Sequence, residues 1–185
     1  METLVKTING FDQEAIGATV TAIQSNPDLA NFELRATNQW VSGAHNRSFI
    51  QGFYGAGQED ETRKEPFIYD NDEPPVLLGN NQGANPAEVV LHGLLGCMTT
   101  AMVLLASARG IEVKGVSSKI EGDIDLKGFL GLDANAEKGF KQIRVTFDIE
   151  GADDAQKEEL IALAKQSPIF NSLVNPVDVK VDIQK

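Results

Sequence analysis

Cysteine is almost missing from this chain: Cys97 is the only one. A lone thiol forms no intramolecular disulfide, which suits a reducing compartment such as the cytoplasm. Histidine is nearly as scarce, and with only His45 and His92 beside one cysteine no zinc constellation can be assembled. Neither a metal nor another cofactor is expected. Basic runs are missing as well. The 16 Lys and Arg residues are scattered, with Arg63-Lys64 the longest run, against 27 acidic residues and a formal charge of −11. That balance argues against nucleic acid or an acidic membrane surface as a partner. The opening "METLVKTINGFDQ" lacks a basic stretch followed by an apolar core, so no secretory leader is expected. "GFYGAG" has no following Lys-Ser/Thr and is no phosphate loop. "DNDE" (70–73) lacks the glycine and terminal glutamate of a calcium loop.

What is present is ordinary globular material, 42% hydrophobic and 23% charged, enough to bury one sizeable core. Residues 12–25 carry Ile16, Val20 and Ile23 at helical spacing, stopped by Asn26-Pro27. Residues 32–42 predict a strand and "IQGFYGAG" strand and turn. Residues 57–65 read as a charged loop, 67–69 as a short strand, and the run through Pro74-Pro75 as a connector. Val89–Ala108 is a charge-free stretch long enough to cross a bilayer. It nevertheless holds His92, two glycines, two threonines and Ser107 and has no cationic flanks, so a core helix from Pro86 to Arg109 is expected. One or two strands follow Gly110. "QIRVTFDIEG" alternates, with Ile143, Val145, Phe147 and Ile149 on one face, which predicts a half-buried antiparallel strand. Residues 153–166 predict an amphipathic helix with Leu160, Leu163 and Ala164 inward. The tail alternates again through Val177, Val179, Val181 and Ile183. The expected class is α+β, without parallel βαβ units.

The start of the long helix is the sharpest local signal. Asn85 suits the N-cap, Pro86 the first helical position, and Glu88 can reach back to the N–H of the cap. Glu88 therefore has a complete structural explanation beside any chemical one. Gly110 suits the helix stop, with Arg109 favourable at the C-terminal end of the dipole. Between these ends apolar residues cover every face, so the helix must be surrounded by protein, and a second chain could supply one side. Cys97 lies about three turns in, beyond the reach of the N-terminal dipole. Unassisted and buried, it would be an inert packing residue; as a nucleophile it would need a cation brought from elsewhere. Arg47 and His45, placed in a turn after a strand, and Arg35, inside that strand, are the candidates. Each is equally a surface charge or an ordinary polar group. His92 lies four residues after Glu88 and shares its face.

"NPAEVVLHGLLGC", "GIEVKGVSSKIEGDIDLKGFLGLD", "GFKQIRVTFDIEG" and "SPIFNSLVNPVDVKV" resemble the OsmC/Ohr family, that of osmotically inducible protein C and the organic hydroperoxide resistance proteins. The resemblance runs from about Arg35 to Ile183, which implies an OsmC-like domain at 31–185 and an N-terminal helical extension at 1–30. It implies an intertwined homodimer with long central helices packed in antiparallel sheets. In the peroxidase members a cysteine on the central helix attacks an organic hydroperoxide, assisted by an arginine and a glutamate, and a second cysteine resolves the sulfenic acid. Cys97 matches the attacking cysteine and Arg47 is the better match for the arginine, ahead of Arg35. The glutamate of the family follows Asn-Pro directly; here Ala87 stands there and Glu88 comes one residue later, about 100° further round a helix. The Cys-Pro-Val segment of the resolving cysteine reads here as Ser167-Pro168-Ile169, and serine cannot resolve a sulfenic acid. Two functions follow. One is a single-cysteine peroxidase of oxidative stress defence, recycled by an external thiol. The other is a non-catalytic dimer holding a small hydrophobic ligand at its interface, with Cys97 as part of the wall.

Overall fold

The computed structural model describes residues 7–175 and 177–184. In chain order they form β1 (Thr7–Ile8), β2 (Phe11–Asp12), α1 (Gln13–Ser25), β3 (Glu33–Leu34), β4 (Thr37–Ser42), β5 (His45–Ile50), β6 (Phe53–Gly55), β7 (Gln58–Asp60) and β8 (Phe67–Asn71). There follow α2 (Pro86–Ala108), β9 (Gly115–Ile124), α3 (Leu126–Phe129), β10 (Phe140–Glu150), α4 (Asp154–Ala164) and α5 (Pro168–Val174). The class is α+β, with the ladders β9–β10, β3–β6–β7 and β4–β5–β8 all antiparallel. Two compact units divide the chain, one of residues 12–90, the other of residues 7–11 together with those from Leu91 onward.

In the first unit Asp12 caps α1, accepting the amide N–H of Glu14 at 2.8 Å and of Ala15 at 3.2 Å. None of the α1 side chains is buried. The strand expected over 32–42 is broken: Glu33–Leu34 pairs with β6, whereas Thr37–Ser42 pairs with β5 in a different sheet. The strand orders are β3-β6-β7 and β4-β5-β8. The charged run 57–65 is not all loop. Ala56 and Gly57 sit at φ +50° and +82°, a tight turn that folds Gln58–Asp60 back onto Phe53–Gly55. After β8 the chain loops around Asp72, which is 1% exposed. Its carboxylate accepts the amide N–H groups of Glu73, Asn80 and Gln82 at 2.8, 3.0 and 3.1 Å. These amides, that of Gln82 foremost, hold Asp72 below the usual carboxylate range. Gly83 has no room for a side chain, because a Cβ would stand 1.9 Å from the Asp70 carbonyl.

In the second unit one stripe of α2, Leu94, Met98, Met102 and Ala106, is buried against Ile149, Leu160, Leu163 and Ala164. Spacing of four keeps the stripe on one helical face, and each of the large side chains contributes about 1.5–3 kcal/mol by burial. The expected inward faces of β10 and of α4 are the ones observed. Asn9, in the β1–β2 turn at φ +50°, anchors the end of α2. Its amide donates to the Ser107 hydroxyl and the Ile111 carbonyl, and its oxygen accepts the Val113 N–H. The "NG" dipeptide was a readable hairpin signal. The helix expected over 153–166 stops at Ala164, and Ser167 starts a separate helix, α5. The tail at 177–184 forms no ladder among the described residues, contrary to the strand its alternation predicts. A strand needs a neighbouring edge to pair with, and the apolar residues of the tail are all exposed.

Candidate functional site

Cys97 sits on the fourth turn of α2 and is partly exposed. Helical side chains lean toward the N-terminus over the residue four positions back. For Cys97 that residue is Gly93, where an added Cβ would meet nothing within 4 Å. The thiol is therefore not roofed by its own helix. The sequence left open whether this cysteine is sealed in a core, and the structure leaves it reachable. On the same helix the reciprocal cap forms: Ala87 N–H donates to Asn85 Oδ1 at 2.7 Å and Asn85 N–H to Glu88 Oε2 at 3.0 Å. Asn85 also donates to Glu73 through its side-chain amide. Nine residues, two and a half turns and about 13 Å of axis separate Glu88 from Cys97. They lie on opposite faces of α2, and the Glu88 carboxylate is engaged as a cap. At the other end Gly110, at φ +75°, closes the helix, and Arg109 bonds Glu159 at 2.7 Å.

Arg47 is not in a turn. It lies inside β5, with His45 two residues earlier on the same face, and its register partner is Asp70 on β8. Arg47 Nε donates to Asp70 Oδ1 at 2.8 Å and a terminal nitrogen to Oδ2 at 3.2 Å, a side-on bidentate pair. His45 Nε2 meets the same Oδ1 at 2.7 Å. The guanidinium, and next the imidazole, hold the Asp70 carboxyl below its ordinary range. Arg47 is raised in turn by that bond. The Arg47 side chain stays 43% exposed and that of Asp70 30%, so the pair fixes a direction in space rather than supplying much stability. Asp70 was not among the candidates from sequence. Its signal was the pair at 45 and 47, which share a face only once that stretch is read as a strand.

Arg35 lies between β3 and β4 rather than in a strand. It is clamped on the surface, donating to Glu33 at 2.7 Å and to both Glu59 oxygens at 2.9 and 3.0 Å. That arrangement ties the β3 end of one sheet to β7 and accounts for the residue. Ser167 is fully buried, and its hydroxyl accepts the Phe170 N–H at 3.1 Å as the N-cap of α5. The serine at the place of a second cysteine is thus a helix cap. "DNDE" is consumed in the same way, Asp70 by Arg47 and His45, Asp72 by backbone amides.

The family model for OsmC-like proteins matches residues 79–182. The chain belongs to the OsmC-like family. No curated protein matches it. Among solved structures, the OsmC-like protein of Mycoplasma pneumoniae superposes with TM-score 0.60 at 17% identity, over 78% of this chain and 89% of that one. A structure from Psychrobacter arcticus 273-4, described as an osmotic stress induced and detoxification response protein, gives TM-score 0.57 at 12% identity, over 76% and 88%. An organic hydroperoxide resistance protein OsmC from Legionella pneumophila gives 0.55 at 22% identity, over 79% and 93%. At these identities the likeness is one of fold. Cys97 and the cap of α2 fall inside the matched OsmC-like segment; Arg47 and Asp70 lie before it.

Proposed function

We propose that this OsmC-like chain is a single-cysteine thiol peroxidase of oxidative stress defence, acting in the cytoplasm as a homodimer. The observation that carries the reading is the partly exposed Cys97, the only sulfhydryl of the chain, at the place of the family's attacking cysteine on the long helix. The Cys97 thiolate attacks the outer oxygen of an organic hydroperoxide; the O–O bond breaks, the alcohol leaves with a proton, and Cys97 becomes a sulfenic acid. An external thiol condenses with it, releasing water, and a second thiol displaces the mixed disulfide and restores Cys97. Ser167 is a buried cap, so recycling within the chain has no second sulfur. Arg47 is assigned as the cation, with Asp70 fixing its plane, and Glu88 as the cap that fixes the start of the helix bearing Cys97. Residues 1–30 are assigned as an appended extension. The apolar surroundings of α2 favour an organic over a hydrogen peroxide.

Cumene hydroperoxide at micromolar concentration is expected to consume one thiol per chain and to leave an adduct with dimedone at Cys97. Turnover with dithiothreitol should vanish in Cys97→Ser. A thiol that persists through a tenfold excess of peroxide overturns the assignment. In that case native mass spectrometry of the purified dimer, showing a bound apolar ligand, would support the binding function instead.

A further inference from the structure

The sheet β4-β5-β8 has two unlike faces. Register sets Gln39, Arg47 and Asp70 in one row, on the face of the ion pair described above. The rows on either side point the other way. They are Trp40, Asn46 and Asn71 in one row, and Asn38, Ser48 and Tyr69 in the other. Among the described residues of this sheet none on that second face is charged, in a chain of 27 acids and 16 bases. Two aromatic rings stand on it in water, Trp40 at 70% and Tyr69 at 44% exposure.

The polar groups between the rings are already organised. The Asn38 amide donates to Asn46 Oδ1 at 2.7 Å and to Ser48 Oγ at 2.9 Å. The Asn71 amide reaches the same Asn46 oxygen at 3.5 Å, and the Asn46 amide donates to the Ala44 carbonyl at 3.2 Å. The indole N–H of Trp40 donates to the Gly43 carbonyl at 3.0 Å, which ties the ring to the β4–β5 turn. Asn38 Oδ1, the Ser48 O–H and the Tyr69 hydroxyl have no partner among the described residues. This ladder therefore offers acceptors and donors without charge. Strands lie about 4.8 Å apart and residues two apart on a strand about 6.8 Å, so the backbones of Trp40 and Tyr69 are separated by about 12 Å. Further along β8 the Phe67 ring is taken, because the Arg63 guanidinium lies 5.4 Å from its centroid.

Exposed rings stack on flat apolar surfaces. Nucleobases are one such surface, but a single strand also needs a basic groove along its phosphates. This uncharged face on a chain of charge −11 offers none. A sugar meets the face on its own terms. Its ring turns C–H groups to a flat side, its hydroxyls both donate and accept around the rim, and it carries no charge to desolvate. We propose that this face of the sheet binds a neutral oligosaccharide, with one sugar stacked on Trp40, another on Tyr69, and hydroxyls on the amide ladder between them. The site lies on the side of the sheet away from Arg47 and Asp70 and is independent of the chemistry assigned to Cys97.

Trp40 is the only tryptophan of the chain, so its fluorescence reports on this face alone. Cellohexaose and maltohexaose are titrated into the full chain up to about 10 mM, where a site with a Kd of about 1 mM is nine-tenths filled. At least one should change the emission saturably. Tyr69→Ala, which spares the indole, should weaken that response about tenfold. Tyr69→Phe keeps the ring and should lose less, and Gln39→Ala on the opposite face should lose nothing. If Tyr69→Ala fails to fold by circular dichroism, Asn38→Ala removes a rung of the ladder at an exposed position, with the same expectation. No response to either sugar overturns the proposal, as does an equal loss in Gln39→Ala. Quenching by an oligothymidylate at lower concentration than by either sugar would make the face a platform for single strands and overturns it too. A changed mass of Tyr69→Ala by sedimentation would show that a second copy covers the face, with the same consequence.

Discussion

At the scale of single residues one carboxylate serves two neighbours. Asp70 receives Arg47 through two nitrogens and His45 through one. Asp70→Asn keeps the shape and one acceptor oxygen but removes the charge that orients the guanidinium. If Asp70 acts through Arg47, the variant should lower the rate constant for cumene hydroperoxide by about 10- to 100-fold, the range of an oriented supporting contact. Its melting temperature should move little, since the pair is partly exposed. Arg47→Ala should have an effect of similar size, and the double variant should be no slower than the worse single one. Effects that multiply would separate the two residues and deny Asp70 a positioning role.

Among the elements, the long β9–β10 hairpin is closed by Asp125. Its carboxylate accepts the Lys127 N–H at 3.0 Å as the cap of α3 and Lys141 Nζ at 2.8 Å from β10. Lys141 first, and the Lys127 amide next, pull Asp125 down from 3.8 to about 2. A carboxyl with a lowered folded value stabilises the fold above its unfolded value and loses that contribution as pH falls through the folded one. The contribution of Asp125 is therefore present above about pH 4 and lost toward pH 2. Asp125→Asn should be less stable than the wild type at pH 6, by urea midpoint, and the difference should shrink between pH 4 and 2. Equal differences at both ends would show that the ion pair is not the cause. This same hairpin shows what local pattern conveys. The alternation of β10, the reciprocal cap at Asn85 and Glu88 and the Gly110 stop were all legible, because each is complete within a few residues. Its terminal turn, α3, was not foreseen, nor the break at Arg35-Ala36 that sends Glu33–Leu34 and Thr37–Ser42 to different sheets. Those outcomes depend on partners set by register rather than by local spacing: Leu34 on Phe53, Thr37 on Phe49 and Asp125 on Lys141. The contact of Arg47 with Asp70 is of that kind too, set by β5–β8 register rather than by spacing. Cys97 was legible as a position on a helix, but whether its sulfur could be reached depended on Gly93.

For the whole molecule, the relevant fact is how much apolar surface one chain leaves to solvent. Ile68, Leu78, Phe129, Leu132 and the C-terminal valines are all exposed. So is one side of α2, where Val90, Gly93, Gly96 and Thr100 face outward. Helical glycine costs about 0.5–1 kcal/mol relative to alanine. Within this chain nothing approaches Gly93 or Gly96 closely enough to require it. Surfaces of this extent mark an interaction site on a soluble chain, and the dimer reading assigns them to a second copy. Folding and association are then one equilibrium, so stability depends on concentration. Each tenfold rise in chain concentration adds about 1.4 kcal/mol per dimer. For two chains of 185 residues, at ~2.1 cal/mol/K of unfolding entropy per residue, that raises the melting temperature by about 2 °C. Calorimetry from 1 to 100 µM should therefore show a rise of about 4 °C, with sedimentation giving the mass of two chains throughout. A melting temperature independent of concentration, with a single-chain mass, would mean that these surfaces meet something other than a second copy.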